Sequence, residues 1–444
     1  MFRRKWSGLP ADPQFPSDLE GLGYFVNDID EIRSIENPEN YYKYFLTRNM
    51  RWNDRQRYAM NQAVQKIIFD RLEALRMHKI ILPVGSQGDT SKPHVPIFIS
   101  PNILSASRVV VIFGETVQDL GALAHRTIGG PGGITVGSIL SVVHGLQKQR
   151  ASATDSRPPG IILANMGEFM WSPQEKRTLT RSAFDAAPMQ SAVHNGHTIS
   201  SKNKVPGNED AHKHVHYIFD KIIPHFASDK AGIDVLGVGD GADIVEQYLD
   251  LAPVWNIWKK RINCLALVGG LLPLWELGNQ EFISTFLRNK TRAYAISVEQ
   301  VGTVLSGPDG NPNTRSFTQM GCPMFSSGEP HYTERTLITS RDVVLEWLQE
   351  VALTPEGQDY VNPSFNVVFA DPHFDNDQDW GQEQNNESGE KNEVEDAEAK
   401  DEPEEKEEVG EANGEKPGLI LVERPGSLNG NTKDGEDEQG DEKD

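Results

Sequence analysis

The stretch IDVLGVGDGADIVEQYL, residues 233–249, constrains the fold more than any other part of the chain. Ile233 to Val238 is a short apolar run of the kind that forms a buried strand, and Ala242 to Leu249 carries apolar residues at helical spacing. The glycines between them mark a sharp turn. A strand, a tight turn and a helix in direct succession belong to α/β architectures, in which ligands and nucleophiles sit at the carboxyl ends of the strands.

Three readings of the turn compete. The first is a hydrolase elbow of the G-x-S-x-G kind, which needs small residues two before and two after the nucleophile. Gly237 and Gly241 supply them around Gly239, which has no side chain to attack with. Centring the elbow on Asp240 would place the β-branched Val238 where it clashes. Glu299, after the seventh apparent strand, and His331, in SSGEPHYTE, follow in the order nucleophile, acid, histidine. The oxyanion side brings Asp240 and the loop Phe113–Gly114–Glu115. Two carboxylates beside a developing oxyanion raise its energy, so ester or amide hydrolysis by the usual route is disfavoured. The second reading is a dinucleotide loop, since GVGDGA fits G-x-G-x-x-[GA]. That loop should open the first strand–helix unit and be followed about 20 residues on by an acid. Here it comes late, and APVWNIWKK holds no acid. The third is a purely structural turn, in which glycine tolerates positive φ.

Strands are predicted at 79–84, 95–100, 108–114, 160–166, 233–238, 263–269, 292–298 and 322–326. Helices are predicted at about 134–147, 211–227, 242–251, 277–288 and 336–351, after a mostly helical lead-in over 28–77. The first strands lie close enough for an antiparallel start and the later ones need crossover helices. The expected fold is an α/β-hydrolase-like, mostly parallel sheet flanked by helices, one domain over 22–370. Residues 1–21 are expected to be flexible. The polar, aperiodic stretch 167–210 reads as a lid or mobile insertion.

The net charge of −22 is concentrated at one end: the 27 acidic and 7 basic residues of 371–444 leave 1–370 nearly neutral. A segment so poor in apolar residues cannot offset the entropy of ordering, so an acidic disordered tail is expected. Such a tail attracts basic proteins such as histones or simply maintains solubility. Within it, GLILVERPG at 418–426 is apolar enough to add a strand to a partner's sheet edge. No stretch reaches the roughly 18 apolar residues of a membrane span, and MFRRKWSGLP has no apolar signal core, so a soluble protein of the nucleus or cytoplasm is expected. Cys264 and Cys322 read as reduced core thiols.

The remaining motifs are weak. His212, His214 and His216 lie two apart and do not share a helix face, so a surface patch is expected rather than a metal site. RTIGGPGGITVGS, 126–138, lacks the Lys-Ser/Thr of a phosphate loop and reads as a loop before a helix. WKKR at 258–261 and RRKW at 3–6 are the basic clusters. A neutral body with an acidic tail does not favour direct RNA binding. No cofactor and no metal are expected.

Five segments, GYFVNDIDEIRSI, RWNDRQRYAMNQAV, IFISPNILSASRVVVIFG, HVHYIFDKII and CPMFSSGEPHYTE, carry a resemblance. Over about Leu22 to Leu348 the chain resembles the argonaute-binding protein 2 domain family. These α/β-hydrolase-like proteins include partners of argonaute, carboxy-terminal domains of fungal class II histone deacetylases and vertebrate nuclear co-transcriptional regulators. Some members look like HG after the third strand and HSYGG at the elbow, where this chain has Phe113–Gly114 and Gly239–Asp240–Gly241–Ala242. An acid that some members carry after the sixth strand is replaced by Gly269, while Glu299 and His331 match family positions. The resemblance implies a non-catalytic interaction role in small-RNA-directed heterochromatin formation and gene silencing. Argonaute or chromatin-silencing proteins would be the partners, with siRNA contacted through them. The rival is a live hydrolase with an unconventional nucleophile from 167–210, such as Ser172 or Ser182.

Overall fold

Eight apolar runs become eight strands of one sheet in the computed structural model, which describes residues 8–370 except 86–88, 194–195, 315–318 and 368. The tail from 371 onward, RRKW and GLILVERPG lie outside the described residues. In chain order the strands are β1 (Tyr24–Val26), β2 (Ile32–Ser34), β3 (His78–Leu82), β4 (Val95–Ile99), β5 (Arg108–Phe113), β6 (Gly160–Leu163) and β7 (Met170–Ser172). They continue as β8 (Arg177–Leu179), β9 (Gly232–Val238), β10 (Ile262–Val268), β11 (Thr291–Ala295), β12 (Val304–Ser306) and β13 (Met324–Ser326).

The large sheet runs β12-β13-β11-β10-β9-β5-β6-β4-β3. From β6 through β13 neighbouring strands are parallel, whereas β4 is antiparallel to both β3 and β6. Leaving aside the short antiparallel edge strand β12, the order is first, second, fourth, third, fifth, sixth, seventh, eighth, with the second strand reversed. This is the α/β-hydrolase arrangement, and it confirms the predicted class.

Alternation along the central strands sends side chains to two separate cores. Val109, Val111 and Phe113 of β5 join Ile233 and Val235 of β9 under the helices around 211–226 and 240–258. Val110 and Ile112 join Leu236 and Val238 on the other face. Helix α1 (Met50–Ala74) and the helices Leu140–Leu146 and Thr336–Ala352 cover that face. Each fully buried side chain of this size contributes on the order of 1.5–3 kcal/mol, so covering both faces is what makes the parallel sheet stable. The free thiols of Cys264 and Cys322 lie buried here, and burial pushes both pKa values up.

The register Arg108↔Gly232 through Phe113↔Gly237 sets β5 beside β9. The loop that leaves β5 therefore starts level with the turn that leaves β9. This adjacency builds the site.

Three expectations need correction. The lead-in is not helical from 28: β1 and β2 pair as a hairpin, and α1 begins only after Asn49, whose side chain accepts from the Arg51 amide at 3.0 Å. The aperiodic stretch 167–210 carries regular structure. β7 and β8 pair, Thr180 caps the helix Arg181–Ala186, and Trp171, Leu179 and Phe184 are buried. Its elements of three to six residues are too short to show a period. Residues 8–21, read as flexible, include the buried Asp12, which holds Arg51 at 2.7 Å and Arg55 at 3.5 Å.

Candidate functional site

The turn after β9 has the backbone of a nucleophile elbow. Gly239 sits at φ 54°, ψ −132°, a region that side-chain-bearing residues enter only under strain. A Cβ on Gly237 would lie 2.5 Å from Ala242 Cα, and one on Gly241 would run into the Gly114 carbonyl and lie 2.8 Å from Phe113 O. Small residues are therefore required at both flanks, and the tip is Gly239.

Glu115 decides what this tip can do. It leaves the end of β5, and its carboxyl group lies over Gly239 in the space a side chain there would enter. Its Oε2 accepts from the Asp240 amide at 3.4 Å. In a hydrolase of this fold that amide, the one after the nucleophile, is an oxyanion donor. One carboxyl group thus fills the nucleophile's volume and engages the donor.

The surroundings are acidic. Burial, and then Asp240, Asp243 and Glu334, push the Glu115 pKa up to about 7. Burial, Asp240 and Glu276 push Asp243 up to about 6, and its Oδ1 is buried without a hydrogen-bond partner. Asp240 accepts from Thr116 Oγ1 at 2.5 Å. The positive end of the helix Asp240–Asp250 offsets part of this repulsion.

These groups line a cleft of about 400 Å³ that also takes in Gly269, Gly270 and His331. His331 is exposed, and among the described residues no hydroxyl hydrogen-bonds its ring. Its loop is fixed through the backbone instead. The buried Glu329 accepts from the amides of His331 and Tyr332 at 3.1 and 3.2 Å. Glu299 does not line the cleft; its amide donates to Ser297 Oγ at 3.1 Å and its carbonyl accepts from Ser326 Oγ at 2.8 Å. The structure thus brings Phe113, Gly114, Glu115, Gly237, Gly239, Asp240 and Gly241 together, with His331 on the rim and Glu299 apart. Gly269 has φ 81°, and a Cβ there would lie 2.6 Å from Thr336 Oγ1. Asp243 was missed in the sequence, although it falls one turn into the helix after the elbow.

Other candidates lie elsewhere. Ser172 is buried on β7, with Oγ 3.4 Å from Gln174 Oε1. Ser182 is 3.3 Å from Thr180 Oγ1, and neither serine lines the elbow cleft. The histidine triplet is not one surface patch: His212 and His216 are exposed, but His214 is buried. The Asn165 amide donates to His214 Nε2 at 3.2 Å, so the ring proton is on Nδ1, which donates to Asn208 Oδ1 at 2.7 Å. In WKKR, Lys259 pairs with Glu281 at 2.9 Å and Arg261 stands over the Trp258 ring at 5.2 Å.

The sheet order, the elbow and the late histidine define an α/β-hydrolase-like protein with a glycine in the nucleophile's place. The Arb2 domain profile matches residues 15–301, and the chain belongs to that family. It is 28% identical over 118 residues to the cotranscriptional regulator ARB2A homolog of Xenopus tropicalis, covering 26% of this chain and 28% of that one. It is 29% identical over 117 residues to cotranscriptional regulator ARB2A of Homo sapiens, again covering 26% and 28%. The matched segment therefore spans little more than a quarter of these relatives. Among solved structures, carboxyl esterase 2 of Tuber melanosporum aligns over 63% of this chain and 88% of its own, at 11% identity and TM-score 0.30. Esterase Est22 aligns over 68% and 91%, at 11% identity and TM-score 0.28. Among the described residues no helix is long and apolar enough to cross a membrane.

Proposed function

We propose that the protein is a catalytically silent interaction module of nuclear gene silencing, acting through argonaute or chromatin-silencing partners in small-RNA-directed heterochromatin formation. The observation that carries the silent half is the Glu115 carboxyl group over Gly239, bonded to the Asp240 amide. Acyl transfer needs an attacking oxygen and free donors aimed at the oxyanion. Here a glycine stands in the place of the first, and a known donor is engaged by the Glu115 carboxyl group. The silencing half is supported by membership of the Arb2 domain family and by the relationship to proteins named cotranscriptional regulators. RNA would be reached through the partner, and basic proteins such as histones through the acidic segment 371–444.

Two measurements test the two halves. A fluorophosphonate serine-hydrolase probe should leave the full chain unlabelled, and labelling that disappears in His331→Ala would overturn the silent reading. Crosslinked affinity purification from nuclei should enrich argonaute or chromatin-silencing proteins over a tail-only control. Enrichment of neither class would overturn the silencing role while leaving the silent elbow standing.

A further inference from the structure

Beside the elbow cleft, and sharing Val117, Gln118 and Glu334 with it, lies a larger cavity of about 920 Å³. Its size suits a small organic ligand. Its lining is partly apolar and aromatic, with Tyr42, Phe45, Met60 and Ile128. It also presents polar groups from α1 and from the segment after β5.

His125 lines this cavity and is held from behind. Its Nε2 lies 3.1 Å from Asp119 Oδ2, which also accepts from Asn61 Nδ2 at 2.9 Å. Burial opposes a charge on Asp119, but the bond and charge of His125, with help from Arg177 and Asn61, hold its pKa below the ordinary value. An ionised carboxylate only accepts, so Nε2 carries a proton toward Asp119, and in the imidazolium form Nδ1 carries the second and is the donor left for an anion. Deeper still, the buried Glu168 accepts from Gln65 Nε2, Asn165 Nδ2 and the Leu120 amide at 3.0, 3.0 and 3.2 Å. This support joins α1, the loop after β5 and the loop after β6. It orients one imidazole toward open space, which packing alone does not require.

With His125 protonated against Asp119, the charges around the cavity leave one cation over. Asp119 is met by His125, Asp185 pairs with Arg181 at 2.8 Å, and Glu334 pairs with Arg126 at 3.6 Å. Arg57 lines the cavity, and among the described residues no carboxylate pairs with it; its guanidinium stands over the Tyr44 ring at 5.8 Å. It lies one helical turn before Asn61, whose amide is 3.5 Å from the His125 ring. Guanidinium and imidazole therefore share one side of the cavity.

We propose that this cavity binds a small organic anion, with a carboxylate or phosphate group held by Arg57 and His125 and an apolar or aromatic body against Tyr42, Phe45 and Met60. The site is independent of the silent-elbow reading, because neither Gly239 nor Glu115 belongs to it.

Isothermal titration calorimetry of the full chain tests it, with octanoate and octyl phosphate as probes and octyltrimethylammonium as the control of opposite charge. At least one anion should bind at one site and the cation should not, and the stronger anion identifies the acid group. Arg57→Ala and His125→Phe should each weaken that anion by about tenfold or more. Arg57 is exposed, so its variant should melt at the wild-type temperature and report on binding alone. No heat from either anion, equal binding of the cation, or an affinity unmoved in Arg57→Ala would overturn the proposal.

Discussion

Glu115 and Gly239 share one volume: a Cβ on Gly239 would overlap the Cδ and both carboxyl oxygens of Glu115. The glycine and the carboxyl group are therefore a matched pair. Gly239→Ser alone should destabilise the chain, because Glu115 must swing out and give up the Asp240 amide. Overpacking of this kind costs about 1–3 kcal/mol, and a side chain at φ 54° adds roughly 1–3 kcal/mol. In the double variant Gly239→Ser with Glu115→Gly only the backbone cost should remain. Urea unfolding measures both, and equal loss in the single and double variants would refute the shared volume.

The raised pKa of Glu115 makes stability depend on pH. Folded, the group titrates near 7; unfolded, near the ordinary 4.5. Between these values the native state holds a proton that the unfolded chain has lost, so this group's contribution falls as pH rises through the window. Above pH 7 the native carboxylate is ionised, at a cost of up to roughly 3 kcal/mol. Glu115→Gln keeps an oxygen for the Asp240 amide and removes the charge. It should be more stable than wild type at pH 8 and indistinguishable from it near pH 4. Denaturant melts at the two pH values check this, and a difference independent of pH would contradict it.

Much of this architecture was readable because continuous apolar runs such as RVVVIF and NCLALV have few alternatives to a buried strand. β1, β2, β7, β8 and β12 were missed, since three residues carry no period. The elbow was readable from the spacing Gly237, Gly239, Gly241, which reflects contacts with Ala242 and with the loop after β5. That Glu115 stands near the oxyanion position was also foreseen. That its carboxyl group fills the nucleophile's volume was not, because a loop side chain has no periodicity to fix its direction. Glu299 was paired with His331 on chain order alone, and chain order says nothing of the backbone bonds that bring Glu329 to that loop instead.

His214 gives a second dependence on pH, of opposite sign. Burial depresses its pKa to about 3, and both ring nitrogens are committed in the neutral form. Above the unfolded value near 6.5 neither state is protonated and the contribution is complete. As pH falls toward 3 the unfolded chain gains a proton that the native state refuses, so stability falls by up to about 1.4 kcal/mol per pH unit. His214→Gln should cost roughly 2–4 kcal/mol at pH 7.5 through lost hydrogen bonds and packing. It should also flatten the stability profile between pH 6 and 4. An unchanged slope in the variant would assign the acid sensitivity to other groups.

At the opposite end of β5, Arg108 donates through Nε to Asp234 of β9 at 2.6 Å, and both residues are buried. Its remaining nitrogens donate to Gln149 Oε1, Arg150 O and Leu348 O, while Asn263 donates to Asp234. The cation thus ties the turn at Gln149 and Arg150 and the helix Thr336–Ala352 to the sheet's centre. Its place at the start of an apolar run gave no sign that it was buried. Arg108→Met should cost about 3–5 kcal/mol by stranding Asp234 in the interior. Arg108→Met with Asp234→Leu removes both charges and should cost clearly less than the two single variants added together. Equilibrium unfolding of the four proteins closes the cycle, and strict additivity would show that the pair is not coupled.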